Sequence, residues 1–366
     1  MHEAFLLETG HHETKNRQHT QTAPRTRSCS AMASSADPHV VEDCRGMLQV
    51  LSDGTVARFE PPPIPAGDDD GRVEWKDAVY DAGRGLGLRM YKPAAAEKKL
   101  PVLVYFHGGG FCVGSYAWPN FHAGCLRLAA ELPAVVLSFD YRLAPEHRFP
   151  AAHDDAATAL LWLRDQLASG TTNPWLADAA DARRVFVSGE SAGGNLTHHL
   201  ALRFGSTPGL LDPINIAGYV MLMPGFLSER RTRSELESPA TAFLTRDMCD
   251  TLSRLFLPAG ADKDHPLINP LGPESPSLDP LLDVPVLVVA AERDLLRDKN
   301  VEYAERLRAL AAAGKGKKKE EENVELVVFP GEEHAFFGVK PESEAAGEVV
   351  RLIGRLVARS SVSRMS

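Results

Sequence analysis

Several absences narrow the field before any motif is read. The chain has five cysteines in 366 residues, Cys29, Cys44, Cys112, Cys125 and Cys249. They are scattered, odd in number and free of CxxC spacing, which suits reduced thiols better than a disulfide framework or a zinc site. The expected location is therefore the cytoplasm, with the nucleus also open. There is no excess of positive charge: 40 Lys and Arg stand against 49 Asp and Glu, a formal net charge of -9. Nucleic acid and anionic membrane both demand a basic face, so neither is an expected partner. No apolar run approaches the roughly 20 residues of a membrane span. Internal repeats are missing too. What is present is 44% hydrophobic and 24% charged residues, enough for a sizeable core.

Acids are missing from residues 14–31, "TKNRQHTQTAPRTRSCSA". The neighbouring apolar run "AFLL" is too short for a signal-peptide core. Residues 1–31 are expected to be a disordered extension or a mis-assigned start, with a transit peptide as the alternative. Met32, opening "MASSADPHVVEDC", is the expected natural first residue. Residues 32–366 then make a single domain.

Within that domain, "EPPPIPAGDDDGR" (60–72) is a linker or flap, because its prolines and like charges oppose regular structure. Eight strand candidates follow: "VEWKDAVY", "LGLRMY", "VLVYF", "AVVLSF", "VFVS", "IAGYVMLM", "PVLVVA" and "VELVVF". From the third onward several are continuous apolar runs, the pattern of parallel strands buried on both faces. The first two are joined by a short turn, so that edge is expected to be antiparallel. Helical stripes lie between them, at 150–168 (Ala152, Ala156, Ala159, Leu160, Leu163, Leu167), 298–313 and 342–359. Such alternation predicts an α/β fold with helices on both faces of a mostly parallel sheet. Residues 33–75 and 224–280 break the rhythm and are expected to cap one end of the sheet, where such folds keep their ligands. The run "GKGKKKEEEN" (314–323) reads as a solvated loop.

The chemistry begins at "VFVSGESAGGNL" (185–196), a strand, a G-x-S-x-G turn and a helix. Such a turn pushes the serine hydroxyl out above the sheet, and small residues at 189 and 193 let the strand and helix backbones pass. A phosphate cradle is the competing reading, but the P-loop lysine and the dinucleotide glycine spacing are both missing. Upstream, His107-Gly108-Gly109-Gly110 follows a strand. Backbone N–H groups of such glycines can hold the oxyanion of a tetrahedral intermediate. His107 reads as support for the loop rather than as a base.

A serine hydroxyl needs a base and an orienting acid, which follow such an elbow in the order Asp/Glu, then His. "VPVLVVAAERDLLRD" supplies Asp294, with Glu292 and Asp298 as alternatives. "VELVVFPGEEHAFF" supplies His334, the only histidine after His265. His198 and His199 point down the helix and read as surface or packing. Phe111, Cys112, Trp118, Phe226, Phe336 and Phe337 are candidates to line an apolar pocket.

Together, "HGGGF", "DYRLAPEHRFPAAHDD", "GESAGGN", "DLLRD" and "EEHAF" resemble the hormone-sensitive-lipase group of α/β-hydrolases, and plant carboxylesterases within it. The resemblance covers roughly residues 38–360. "VVEDCRGMLQVLSDGTVARFE", "EWKDAVYD", "LRMYKP" and "SYAWPNFHAGCLRLA" are similar to the subgroup that hydrolyses strigolactones. The resemblance implies an α/β-hydrolase fold with an eight-stranded sheet and an N-terminal or inserted cap. It implies Ser191 as nucleophile, Asp294 as acid and His334 as base. The oxyanion loop is Gly108, Gly109 and Gly110, with Ala192 after the nucleophile. The implied substrate is a small-molecule ester, with no metal or organic cofactor; the oligomeric state stays open. Asp140, Arg142 and Glu146 would form a buried polar brace behind the site. The same family holds gibberellin receptors that have lost the histidine, and hydroxyisoflavanone dehydratases, so a hormone receptor and a lyase are the alternatives.

Overall fold

All eight strand candidates pair into one sheet, each within a residue or a few of its expected bounds. The computed structural model describes residues 37–60, 69–95, 99–168, 173–313 and 323–362. The extension and start-site expectations, most of the 60–72 linker and the 314–323 loop lie outside the described residues. From His39 onward the chain makes one compact unit.

A small antiparallel sheet comes first: β1 (Val40–Asp43), β2 (Leu48–Leu51) and β3 (Val56–Arg58). The large sheet follows, with β4 (Val73–Asp81), β5 (Leu86–Pro93), β6 (Leu100–Phe106), β7 (Val135–Phe139), β8 (Ala180–Glu190), β9 (Ile216–Leu222), β10 (Val286–Ala291) and β11 (Val324–Phe329). Its order is β11-β10-β9-β8-β6-β7-β5-β4. Only the β4–β5 and β5–β7 pairings are antiparallel; the others are parallel. The antiparallel edge is thus one strand pair wider than the short turn alone implied.

Helices α1 (Pro119–Glu131), α2 (Ala151–Ala168), α3 (Pro174–Ala179), α4 (Ala192–Gly205), α5 (Arg233–Glu237), α6 (Arg246–Phe256), α7 (Arg297–Ala313), α8 (Phe336–Val339) and α9 (Glu344–Val362) supply the outer layers. The period-two alternation of β6 shows how both faces fill. Val102, Val104 and Phe106 pack in one core layer with Leu160 of α2, Leu196 of α4 and Leu307 of α7. Leu103 and Tyr105 pack in the other with Leu128 of α1 and Ile353 of α9. Each such fully buried aliphatic side chain contributes roughly 1.5–3 kcal/mol, which is why these strands are continuous apolar runs.

The four chemical motifs all leave the sheet at the carboxyl ends of strands. His107–Gly110 follows β6, Ser191 follows β8, Asp294 follows β10 and His334 follows β11. A mostly parallel sheet gathers residues from distant points of the chain at one rim in this way. The interruption between β9 and β10 carries α5 and α6, and the Asp279–Leu281 3-10 turn. Among the described residues no helix is long and apolar enough to cross a membrane.

Candidate active site

Ser191 stands between β8 and α4 with φ 54° and ψ -113°. A left-handed φ is costly for a residue with a Cβ, and it persists only where the surroundings hold it. Three backbone hydrogen bonds do so. The Ser191 N–H donates to Leu222 O at 2.8 Å, and its carbonyl accepts from Gly225 N at 2.8 Å and Asn195 N at 3.0 Å. The glycines on either side are steric necessities. A Cβ on Gly193 would lie 1.9 Å from Phe106 O, and one on Gly189 would lie 2.3 Å from the Gly193 carbonyl.

The hydroxyl meets His334 from the far end of the sheet. Ser191 Oγ lies 2.8 Å from His334 Nε2, and His334 Nδ1 lies 2.7 Å from Asp294 Oδ2. A carboxylate accepts only, so Nδ1 carries the proton and Nε2 is free to accept from the serine. Asp294 Oδ1 accepts from Leu296 N at 2.9 Å, which fixes the carboxylate in turn. All three side chains are buried: Ser191 is 8% exposed, His334 5% and Asp294 3%. The alternative acids face elsewhere. Glu292 accepts from Gly331 N, and Asp298 accepts from Ser234 N while pairing with Arg297.

Burial alone would push the imidazole of His334 down. The Asp294 charge and hydrogen bond, with the Glu190 charge behind them, outweigh it and leave the His334 pKa raised. Glu190 is the surprise of the elbow. It is 1% exposed, and burial lifts its carboxyl to about 7, against the His334 charge and the Gly338 N–H that pull it down.

Gly108, Gly109, Gly110, Ser191 and Ala192 border one cavity. Gly109 has φ 116°, and a Cβ there would lie 1.9 Å from Val113 O, so only glycine fits. Its carbonyl accepts from Cys112 N and Val113 N, which turns the loop. Among the described residues none accepts from the N–H of Gly109 or Gly110. Ala192 begins α4, so its N–H is one of the unsatisfied first-turn donors of a helix. His107 stacks on Tyr141 at 4.4 Å, and its Nδ1 lies 2.7 Å from Gly108 O, so it braces the loop.

The cavity measures about 490 Å³ and is mostly apolar. Phe111 and Trp118 line it. Phe226 and Phe336 do not, and this corrects their assignment. Phe226 packs on Tyr303 at 4.8 Å, and Phe336 packs on Phe329 at 5.0 Å. Phe226 lies just after β9 and Phe336 opens α8, and both rings close the core instead of the ligand space. Cys112 and Phe337 are likewise buried away from the lining. The lining that composition could not reveal comes from the interrupting segments: Arg45 and Met47 from the small sheet, Phe243, Met248 and Leu252 from around α6. Asn120 and Glu190 were also missed. The one available signal was an acid inside an otherwise small-residue turn.

The polar brace is only partly buried. Asp140 accepts from Tyr116 N and Ser115 Oγ. Arg142 makes a two-pronged pair with fully buried Asp155, both at 2.8 Å. Glu146 is no part of a buried brace: its side chain is 39% exposed and pairs with Arg58 of β3, tying the small sheet to the body. His198 is packing, held between Tyr303 and Phe226.

Residues 103–338 match the family model described as alpha/beta hydrolase fold. The chain belongs to the α/β-hydrolase fold family. Within it, the chain is 37% identical to probable carboxylesterase 6 of Arabidopsis thaliana, over 73% of this chain and 79% of the relative. It is 35% identical to the chloroplastic tuliposide A-converting enzyme 1 of Tulipa gesneriana, over 90% and 80%. It is 33% identical to a 2-hydroxyisoflavanone dehydratase of Glycyrrhiza echinata, over 89% and 98%. Among solved structures of α/β-hydrolases, the Pyrobaculum calidifontis esterase aligns with a TM-score of 0.64 at 30% identity, covering 79% of this chain and 86% of that one.

Proposed function

We propose that this chain, a carboxylic ester hydrolase, cleaves small, largely apolar esters through an acyl-enzyme on Ser191. The observation that carries the reading is the unbroken hydrogen-bond line from Asp294 through His334 to Ser191, beside a loop with free N–H groups. His334 Nε2 takes the serine proton as Oγ attacks the ester carbonyl. Asp294 holds the imidazole in the needed tautomer and offsets its charge. The N–H groups of Gly109, Gly110 and Ala192 face the developing oxyanion, with Gly108 completing the loop. The alcohol leaves with the proton from His334. Water, deprotonated by His334, then attacks the acyl carbonyl, releases the acid and restores the serine. Hydrolysis of p-nitrophenyl butanoate by the purified protein tests this; equal rates from wild type and Ser191→Ala would refute it.

A strigolactone-type enol ether lactone is the finer substrate reading, supported by the N-terminal motifs that resemble that subgroup. Incubation with a strigolactone analogue, following release of the butenolide ring, decides it. No release at an enzyme level that cleaves model esters removes it. The dehydratase relative favours a lyase as the second reading, since the same N–H groups would stabilise an enolate. A hydroxyisoflavanone incubated with the protein and analysed for loss of water distinguishes the two. The cytoplasm is the proposed location, although the tulip relative is named as chloroplastic. A fluorescent fusion of the full chain found in plastids would overturn it.

A further inference from the structure

The cavity has a polar recess that the acyl-transfer steps do not employ. Asn120 of α1 lines the cavity and is 5% exposed. Its Oδ1 has no hydrogen-bond partner among the described residues. A buried amide oxygen left unpaired costs free energy, so an unpaired one on a residue that lines a ligand cavity points to a ligand donor. Glu190 stands beside it, lining the same cavity, with Oε1 accepting from Gly338 N at 3.2 Å. The two side chains converge on one point. A Cβ built on Gly338 would lie 2.7 Å from Glu190 Oε2 and 3.5 Å from Asn120 Nδ2. The missing side chain at 338 is what keeps the recess open. The same cavity is lined by the apolar side chains of Phe121 and Val339 and by Trp118.

We propose that Asn120 and Glu190 form a specificity subsite for a hydroxyl group carried by an otherwise apolar ester. The hydroxyl donates to Asn120 Oδ1 and its oxygen accepts from the Asn120 amide or from the Glu190 acid. Burial holds Glu190 near a pKa of about 7, so around neutrality it is available as donor and as acceptor. A wholly apolar substrate would leave Asn120 Oδ1 unpaired, and sites built to bond a hydroxyl discriminate strongly against analogues that lack it.

The proposal rests on the esterase reading of Ser191, so its test separates the two. Substrate pairs differ by one hydroxyl-for-methyl exchange: p-nitrophenyl 6-hydroxyhexanoate against the heptanoate, and 6-hydroxyhexyl butanoate against heptyl butanoate. Wild type is expected to favour the hydroxyl member of at least one pair by about 10-fold or more in kcat/KM. Asn120→Leu and the recess-filling Gly338→Ala are expected to abolish that preference. Calorimetric binding of the same pairs to Ser191→Ala reads the recess without turnover. A binding preference with no hydrolysis by wild type removes the esterase reading and leaves the recess standing. Equal binding of both members of both pairs overturns the recess, whatever the rates. So does a preference that survives Asn120→Leu and Gly338→Ala in folded protein.

Discussion

Arg254 of α6 grips Glu42 of β1 with two hydrogen bonds, Nε to Oε1 at 2.7 Å and Nη2 to Oε2 at 2.8 Å. The cavity is bordered close to both partners, by Met47 in the turn that follows β1 and by Leu252 of α6. Arg45 adds a second tie, donating to Ala242 O at 2.9 Å. The small sheet and the β9–β10 interruption are therefore clasped to each other above the sheet rim.

Loosening this clasp should act on substrate binding more than on stability. The Arg254 side chain is 56% exposed, so the pair is worth no more than about 1 kcal/mol. Glu42→Gln is expected to raise KM for bulky acyl esters a few-fold while shifting Tm only slightly. The hydrogen bond to Arg254 lowers the Glu42 pKa, so the clasp is complete at neutral pH and fails as pH falls through that lowered value. A KM unchanged for every ester size would contradict a role in enclosing the cavity.

The pH profile of kcat/KM should report His334. Its pKa is raised, and the base must be neutral, so the acid limb is expected above the ordinary imidazole value of about 6.5. Asp294→Asn removes the charge that opposes burial. The limb should then move to lower pH while turnover falls by on the order of 10⁴. Stability linked to the wild-type imidazolium runs the other way: it is present at low pH and disappears as pH rises through the raised value. A limb that stays in place in Asp294→Asn would dissociate His334 from the profile.

Gly193→Ala should fail at folding before it fails at chemistry. Its Cβ would lie 1.9 Å from the Phe106 carbonyl oxygen, and that carbonyl belongs to backbone that cannot swing aside as a flexible side chain could. A loss of about 3 kcal/mol or more is expected, at the upper end of overpacking effects. Gly124→Ala, whose nearest contact is the Phe337 ring at 3.4 Å, should be mild by comparison. Chemical denaturation of the two variants provides the check; similar midpoints would mean the elbow can relax.

Two buried histidines, His153 and His198, with the half-buried His199 should make the fold acid-sensitive. His153 contacts His199 at 4.8 Å and His199 contacts His198 at 4.7 Å. Burial lowers His153 to about 4 and holds His198 and His199 well below the usual value. The unfolded chain takes up these protons near pH 6.5 and the folded one does not, so stability falls as pH drops from about 6.5 toward 4. His153→Gln should flatten that decline, because one fewer proton is taken up on unfolding. A Tm constant over this range would rule out the mechanism.

How far the residues alone could be read differs by layer. The inner strands β6 to β10 were legible because burial on both faces demands nearly unbroken apolar runs, while β4 and β5 were read from two strand-like segments joined by a short turn. The three strands between Val40 and Arg58 were not, since they are short and at most half-buried apart from Leu48, and carry no comparable hydrophobic pattern. Ser191 and His334 could be singled out by local turn chemistry and by the scarcity of late histidines. Phe226 and Phe336 could not be sorted from Phe111 and Trp118, because an aromatic ring looks the same in sequence whether it faces a core or a cavity.

Local rules, then, were enough for the elbow: a strand, a crossing too close for any Cβ, and a helix start can only expose one hydroxyl. Which of three nearby acids reaches His334 was settled by the turn after β10, which aims Asp294 inward and leaves Glu292 and Asp298 with other partners. The pairing of Asn120 with Glu190 beside Gly338 joins points 70 and 148 residues apart. No local propensity encodes such a meeting; it follows from strand order, which brings the ends of β8 and β11 to the same rim, and from the packing of α1 against α8.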